Sequence, residues 1–187
     1  MKRSFFQKHA IILIVYALIL VLVVIGTFNS EYFLTLRNLT NVLRQAAYLG
    51  TVALGQMLVI LIAGIDLSVG SLVKLCVLVS AILMDGDPDN VWIAVTLTLG
   101  LGLSVGLIHA FLINELNMSP FVVTFASLFI LKGISLSIST KPIGRASSDF
   151  LMLYSEKFAG IYVIVFFFII LMLLMMFLLN LSLIHIP

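Results

Sequence analysis

Six long apolar runs set the terms for this chain: residues 10–28, 46–64, 67–84, 91–113, 121–139 and 161–179. Each is close to the roughly 20 apolar residues that a helix needs to cross a bilayer. The composition agrees, with 63% hydrophobic and 10% charged residues and a mean hydropathy of +1.28; soluble domains carry about a quarter charged residues. The predicted fold class is all-α, a polytopic transmembrane helix bundle of about six spans in a lipid bilayer. The first run follows Lys2, Arg3 and Lys8, as the core of a signal peptide would. It is longer than the about 7–15 residues of a secretory apolar core and lacks an Ala-x-Ala pattern, so it reads as a retained span.

Several function classes fall away on the same reading. A net charge of +2, with ten scattered basic residues, supports no nucleic-acid partner. The single cysteine, Cys76, lies in an apolar run, which rules out an internal disulfide and argues against a metal site. His9 lies at the membrane surface, and His109 has no second ligand at helical spacing, whereas a metal takes three or four. Met172, Met175 and Met176 read as lipid-facing or packing residues. Neither a phosphate-binding loop, a His-Glu-x-x-His nor a Gly-x-Ser-x-Gly is present. No catalytic residue and no cofactor are therefore expected, and ATP-driven work would have to come from a partner.

Between the runs the connections are short, apart from residues 29–45 and 140–160. The first of these reads as a surface-lying amphipathic piece, with Phe33, Leu36, Leu39 and Leu43 at spacings of three and four and Arg37 and Arg44 elsewhere. Asn90 is placed to cap the fourth span, and Ser119-Pro120 sets a hydroxyl before a proline at the first helical position of the fifth. Trp92, Tyr154 and Tyr162 fall near ends, at headgroup depth. Two small-residue faces, Ala47, Thr51, Gly55 and Gly102, Gly106, Ala110, would permit close helix approach. The basic N-terminus predicts a cytoplasmic start, although Arg37, Arg44, Lys141, Arg145 and Lys157 then lie outside; an error of one span inverts everything after it.

Polar groups inside apolar runs are costly and so informative. The stretch Gly64-Ile65-Asp66-Leu67-Ser68-Val69-Gly70-Ser71 sets a carboxylate between the second and third runs. Asp66 and Ser68 suit a helix start, where they accept from free backbone amides. If the turn dips inward as a broken helix, those amides face a ligand instead. Lys74 and Lys132 fall well inside spans, where each either snorkels, finds a partner or lines a polar path.

With the upstream run Gly55-Gln56-Met57-Leu58-Val59-Ile60-Leu61-Ile62-Ala63, this stretch resembles the signature of the permease subunits of bacterial ABC importers for ribose and other monosaccharides. Gly106-Leu107-Ile108-His109-Ala110-Phe111-Leu112-Ile113 resembles that family's glycine-led span end. Pro120-Phe121-Val122-Val123-Thr124-Phe125 and then Lys132-Gly133 are similar to its next segment, in the same order. The resemblance implies a bacterial cytoplasmic (inner) membrane protein that forms half of a translocation path. Its implied partners are a second permease subunit, a cytoplasmic ABC ATPase and an extracytoplasmic sugar-binding protein. Gly64, Asp66, Ser68, Gly70 and Ser71 are then family-motif residues of structural role; Lys74, Thr124 and Lys132, set apart by polarity, are candidate intramembrane polar or path-lining residues.

Some residues depart from the pattern. His109-Ala110 stands where the family often has Asn-Gly, and Lys74 where a small or apolar residue is expected. Such permeases usually have about ten spans, so residues 1–180 are expected to be a partial permease domain that cannot couple to an ATPase alone. Residues 181–187 resemble a translated adapter string and are expected to be a non-native tail. Two other readings stand beside this one. One is a permease for branched-chain amino acids or nucleosides of related architecture, against which the Asp66-to-Gly70 string argues. The other is a secondary transporter or small membrane scaffold, although a proton-coupled carrier should hold interior carboxylates other than Asp66.

Overall fold

A computed structural model describes residues 5–184, with side chains described for 11–180 apart from residue 153. Lys2 and Arg3, and residues 185–187 of the expected tail, lie outside the described residues. The chain divides into two compact units, Met1–Ala46 and Ala47–Pro187.

In the first unit, α1 (Phe5–Asn29) is apolar from Ala10 to Gly26 and ends in polar residues that bond back onto it. Thr27 Oγ1 donates to the Val23 carbonyl at 2.8 Å, and Asn29 Nδ2 to that of Ile25 at 2.8 Å. The chain turns through residues 30–35 and enters α2 (Leu36–Leu61). Thr35 caps that helix, its Oγ1 accepting from the Asn38 amide at 3.3 Å. Gly26 lies against the Phe33 ring, where a Cβ would clash.

One expectation changes here. Residues 29–45 were read as a surface piece separate from a second span, yet α2 runs unbroken from Leu36 to Leu61. Arg37 and Arg44 are not helix breakers, and with neither Gly nor Pro before Gly50 nothing in the sequence ends the helical ladder there.

The second unit is built on α3 (Val69–Met84), which packs against α4 (Val91–Ala110) and α5 (Pro120–Ile138). Leu75, Met84, Ala94, Val123 and Leu131 form the buried apolar contacts among these helices. With 16 residues, α3 is about 24 Å long, shorter than the roughly 30 Å hydrocarbon layer. Residues 62–68 before it are non-helical.

Between α3 and α4 the helical start lies earlier than expected. Pro88 opens a short 3-10 turn, and Asp87 caps it by accepting from the Asp89 amide at 3.0 Å. Asn90 is thus already in helical conformation and its side chain caps nothing. Pro120 does occupy the first turn of α5, but the Ser119 hydroxyl makes no cap bond. A π-turn, Phe111–Glu115, continues α4 before α5 begins.

The long connection before the last span also holds structure. Ser147, fully buried, caps α6 (Ser148–Ser155) by accepting from the Phe150 amide at 3.2 Å. A two-residue ribbon, β1 (Lys157–Phe158) against β2 (Ile161–Tyr162), then leads into α7 (Val163–Ile184). Helix α7 extends to Ile184.

By length and composition four helical stretches among the described residues can cross a membrane: Ile11–Asn29, Pro88–Glu115, Pro120–Ile138 and Val163–Asn180. The other two expected spans are the part-polar α2 and the short α3. On the small-residue faces Ala47 is buried, while the glycines have open space beside them. A Cβ on Gly55, Gly102 or Gly106 would meet nothing within 4 Å, whereas one on Gly50 would lie 2.5 Å from the Phe168 ring.

Candidate functional site

The break between α2 and α3 is held by side chains from three directions. At the end of α2 the Gly64 amide donates to the Val59 carbonyl and the Ala63 amide to that of Ile60, each at 2.9 Å. This is the Schellman pattern, with Ala63 at φ 55° in the left-handed position that glycine usually fills. Beyond it the chain is extended and cannot satisfy its own carbonyls. Gln56 Nε2 reaches from α2 to the Asp66 carbonyl at 3.2 Å, and Thr124 Oγ1 reaches from α5 to that of Ile65 at 3.1 Å. The Thr124 proton is shared with the Pro120 carbonyl, 2.8 Å away. Non-helical backbone in an apolar layer persists only with such partners or beside a cavity.

Asp66 organises the start of α3. Its Oδ1 accepts from the Ser68 amide at 2.8 Å and from Ser68 Oγ at 2.7 Å. Ser68, at the cap position and fully buried, makes no cap bond of its own. The sequence reading had both residues accepting from helix amides; only Asp66 does so, through an amide one residue ahead of the helix. The Ser68 hydroxyl is instead a donor, because the carboxylate is the stronger acceptor within reach.

This segment roofs a cavity of about 520 Å³, lined among others by Gly64, Asp66, His109, Asn114 and Thr124. Small-molecule sites fall at about 300–1,000 Å³ with a few convergent polar groups in an apolar wall. His109, at 8% exposure, is fixed by a 2.8 Å bond between its Nε2 and Ser127 Oγ of α5. Its Nδ1 has no partner among the described residues. The π-turn brings Ile113 and Asn114 to the cavity, the kind of local rewinding that often accompanies functional sites. The lining supplies hydrogen-bond donors and acceptors in a mostly apolar wall.

The expected residues separate into groups. Gly64, Asp66 and Thr124 come together at this cavity. Gly70 and Ser71 lie in the first turn of α3, with open space at Gly70. Lys74 lines a different cavity, beside the loop after α5. Lys132 is exposed on α5. Sequence reasoning missed the parts played by Gln56, Asn114 and Ser127. A glutamine inside an apolar run was the available signal for the first; Asn114 and Ser127 gave none, since a π-turn and an interhelical register place them.

Apolar helices around one broken crossing define a multi-pass membrane protein of helix-bundle type. Residues 38–184 match the family described as branched-chain amino acid transport system / permease component, and the chain belongs to that family. It is a membrane permease component of the bacterial inner membrane and not an enzyme. Among its relatives, the D-allose transport system permease protein AlsC of Escherichia coli (strain K12) is 33% identical over 149 residues, covering 79% of this chain and 46% of the relative. The ribose import permease protein RbsC of the same strain is 33% identical over 120 residues, covering 64% and 37%. Its galactose/methyl galactoside import permease protein MglC is 31% identical over 151 residues, covering 73% and 45%. The chain thus spans less than half the length of these relatives, and no solved structure matches it.

Proposed function

We propose that this chain is part of the permease subunit of an ATP-driven monosaccharide importer and supplies half of its translocation path. What carries the reading is the match over most of the chain to permeases named for allose, ribose and galactosides. The chain pairs with a second permease subunit, a cytoplasmic ABC ATPase supplies the energy, and an extracytoplasmic sugar-binding protein delivers the substrate. Asp66, His109, Asn114 and Thr124 then offer a passing sugar exchangeable hydrogen bonds. A neutral polyol requires such groups if it is to leave water, and their small number keeps it from being trapped.

The test is uptake of labelled ribose, allose and galactose by cells expressing the full-length permease with its ATPase and binding protein, with leucine as the competing class. Uptake of a sugar that stops on ATP depletion is the expected result. Leucine uptake alone, or sugar uptake that survives ATP depletion and collapses with the proton gradient, would overturn the proposal.

A further inference from the structure

Lys74 lies five residues past Val69, about 7.5 Å into α3 and 15 Å short of Met84 at 1.5 Å per residue. An ammonium on an apolar helix is tolerated when it meets an anion or reaches water. Lys74 has neither an ion-pair nor a hydrogen-bond partner among the described residues. It lines a cavity of about 360 Å³ between α3, the end of α5 and the loop that follows, and Lys141 lines the same cavity. The Lys141 ammonium is likewise unpartnered among the described residues. Thr140 adds a hydroxyl, no carboxylate contributes, and the remaining wall is mostly apolar, with Val77 and Leu136 among its residues.

The loop is built so that Lys141 stays there. Ser139 Oγ donates to the Lys141 carbonyl at 2.7 Å and accepts from its amide at 3.1 Å. Gly144 packs on the backbone of Ala81, and the Arg145 amide donates to the Ala81 carbonyl at 3.1 Å. The C-terminal end of α5 contributes only about half a negative charge, against two full positive ones. A site with two cations, a hydroxyl and an apolar flank matches an amphiphile whose head is anionic.

We propose that this cavity binds a phosphate group, and that its occupant is the headgroup of an anionic phospholipid, with an acyl chain along the apolar wall. The apolar flank favours a lipid over free phosphate, which would gain nothing from Val77 and Leu136. This assignment is independent of the sugar reading, since it concerns a different cavity.

The experiment is native mass spectrometry of the full chain in nanodiscs of phosphatidylcholine with a minority of phosphatidylglycerol, measuring the ratio of the two lipids retained. Retained phosphatidylglycerol should exceed its share in the bilayer. Lys74→Leu or Lys141→Ala should each lower that preference about fivefold, and the double variant about 25-fold, at the usual contribution per lysine near anionic lipid. Lys74→Arg should retain the preference, which separates charge from folding, and circular dichroism should show the variants equally helical. An unchanged preference in the helical double variant overturns the proposal. So does displacement of phosphatidylglycerol by millimolar inorganic phosphate, which would make the site one for free anion. Loss of self-association with the lipid ratio unchanged overturns it as well, because the lysines would then meet a carboxylate of a second copy.

Discussion

Replacing Asp66 by alanine removes the acceptor on which the start of α3 depends. The Ser68 amide and hydroxyl both donate to Oδ1, at 2.8 and 2.7 Å, and Ser68 is 0% exposed, so no water takes over. Each buried donor left unsatisfied costs about 1–3 kcal/mol, which places Asp66→Ala at roughly 2–4 kcal/mol once the chain relaxes. For a chain of this size that is a fall of about 4–16 °C in melting temperature. Asp66→Asn keeps an oxygen at the same place and loses only the charge assistance, so it should cost about 1 kcal/mol. Ser68→Ala removes one of the two donors, and in that background Asp66→Ala should be milder by about 1 kcal/mol or more. The assay is thermal unfolding in one detergent at one scan rate for the wild type, the three single variants and the double mutant. Equal losses for alanine and asparagine, or an Asp66→Ala cost that Ser68→Ala does not reduce, would refute the reasoning. Uptake adds a further distinction: if Asp66 also contacts sugar, Asp66→Asn lowers transport well beyond its effect on melting.

Three further outcomes follow from named contacts. Gly144→Ala should destabilise by roughly 3 kcal/mol or more, because φ there is +75° and the added Cβ falls 2.5 Å from the Ala81 carbonyl oxygen; melting close to wild type would contradict this. Ala63, at φ 55°, should tolerate glycine to within about 1 kcal/mol, while valine at the same position should cost about 2 kcal/mol or more, and parallel melts of the two variants decide it. His109→Ala and Ser127→Ala should each cost about 1–3 kcal/mol and be coupled by about 1 kcal/mol through their 2.8 Å bond; strict additivity in a double-mutant cycle would mean that the pair does not act as one.

The helices were legible because a run of apolar residues long enough to span a bilayer has few other fates. The errors arose where polarity was taken for a boundary. Arg37 and Arg44 made residues 29–45 look separate, yet charge on one face does not interrupt a helical ladder. Asn90 looked like a cap, but Pro88 starts the winding earlier and Asp87 does the capping. Helix α6 is eight residues in a stretch read as loop, too short for periodicity to identify it. At the site, Asp66 and Thr124 were singled out by type and position, while Gln56 passed as one more residue of a hydrophobic span.

The sequence by itself determined that the chain is a membrane helix bundle, and that the run from Gly64 to Ser71 sets a carboxylate between two closely spaced spans. Those conclusions rest on local facts, hydrophobic length and the cost of a charge, which need no knowledge of neighbours. Only the tertiary structure decided what the interruption is attached to. Residues 56, 66 and 124 meet because α2, the extended segment and α5 converge, and the unbonded carbonyls of an extended chain must find donors wherever packing provides them. The same convergence separated Lys74 from Thr124, residues grouped in the sequence by polarity alone, and put them in different cavities.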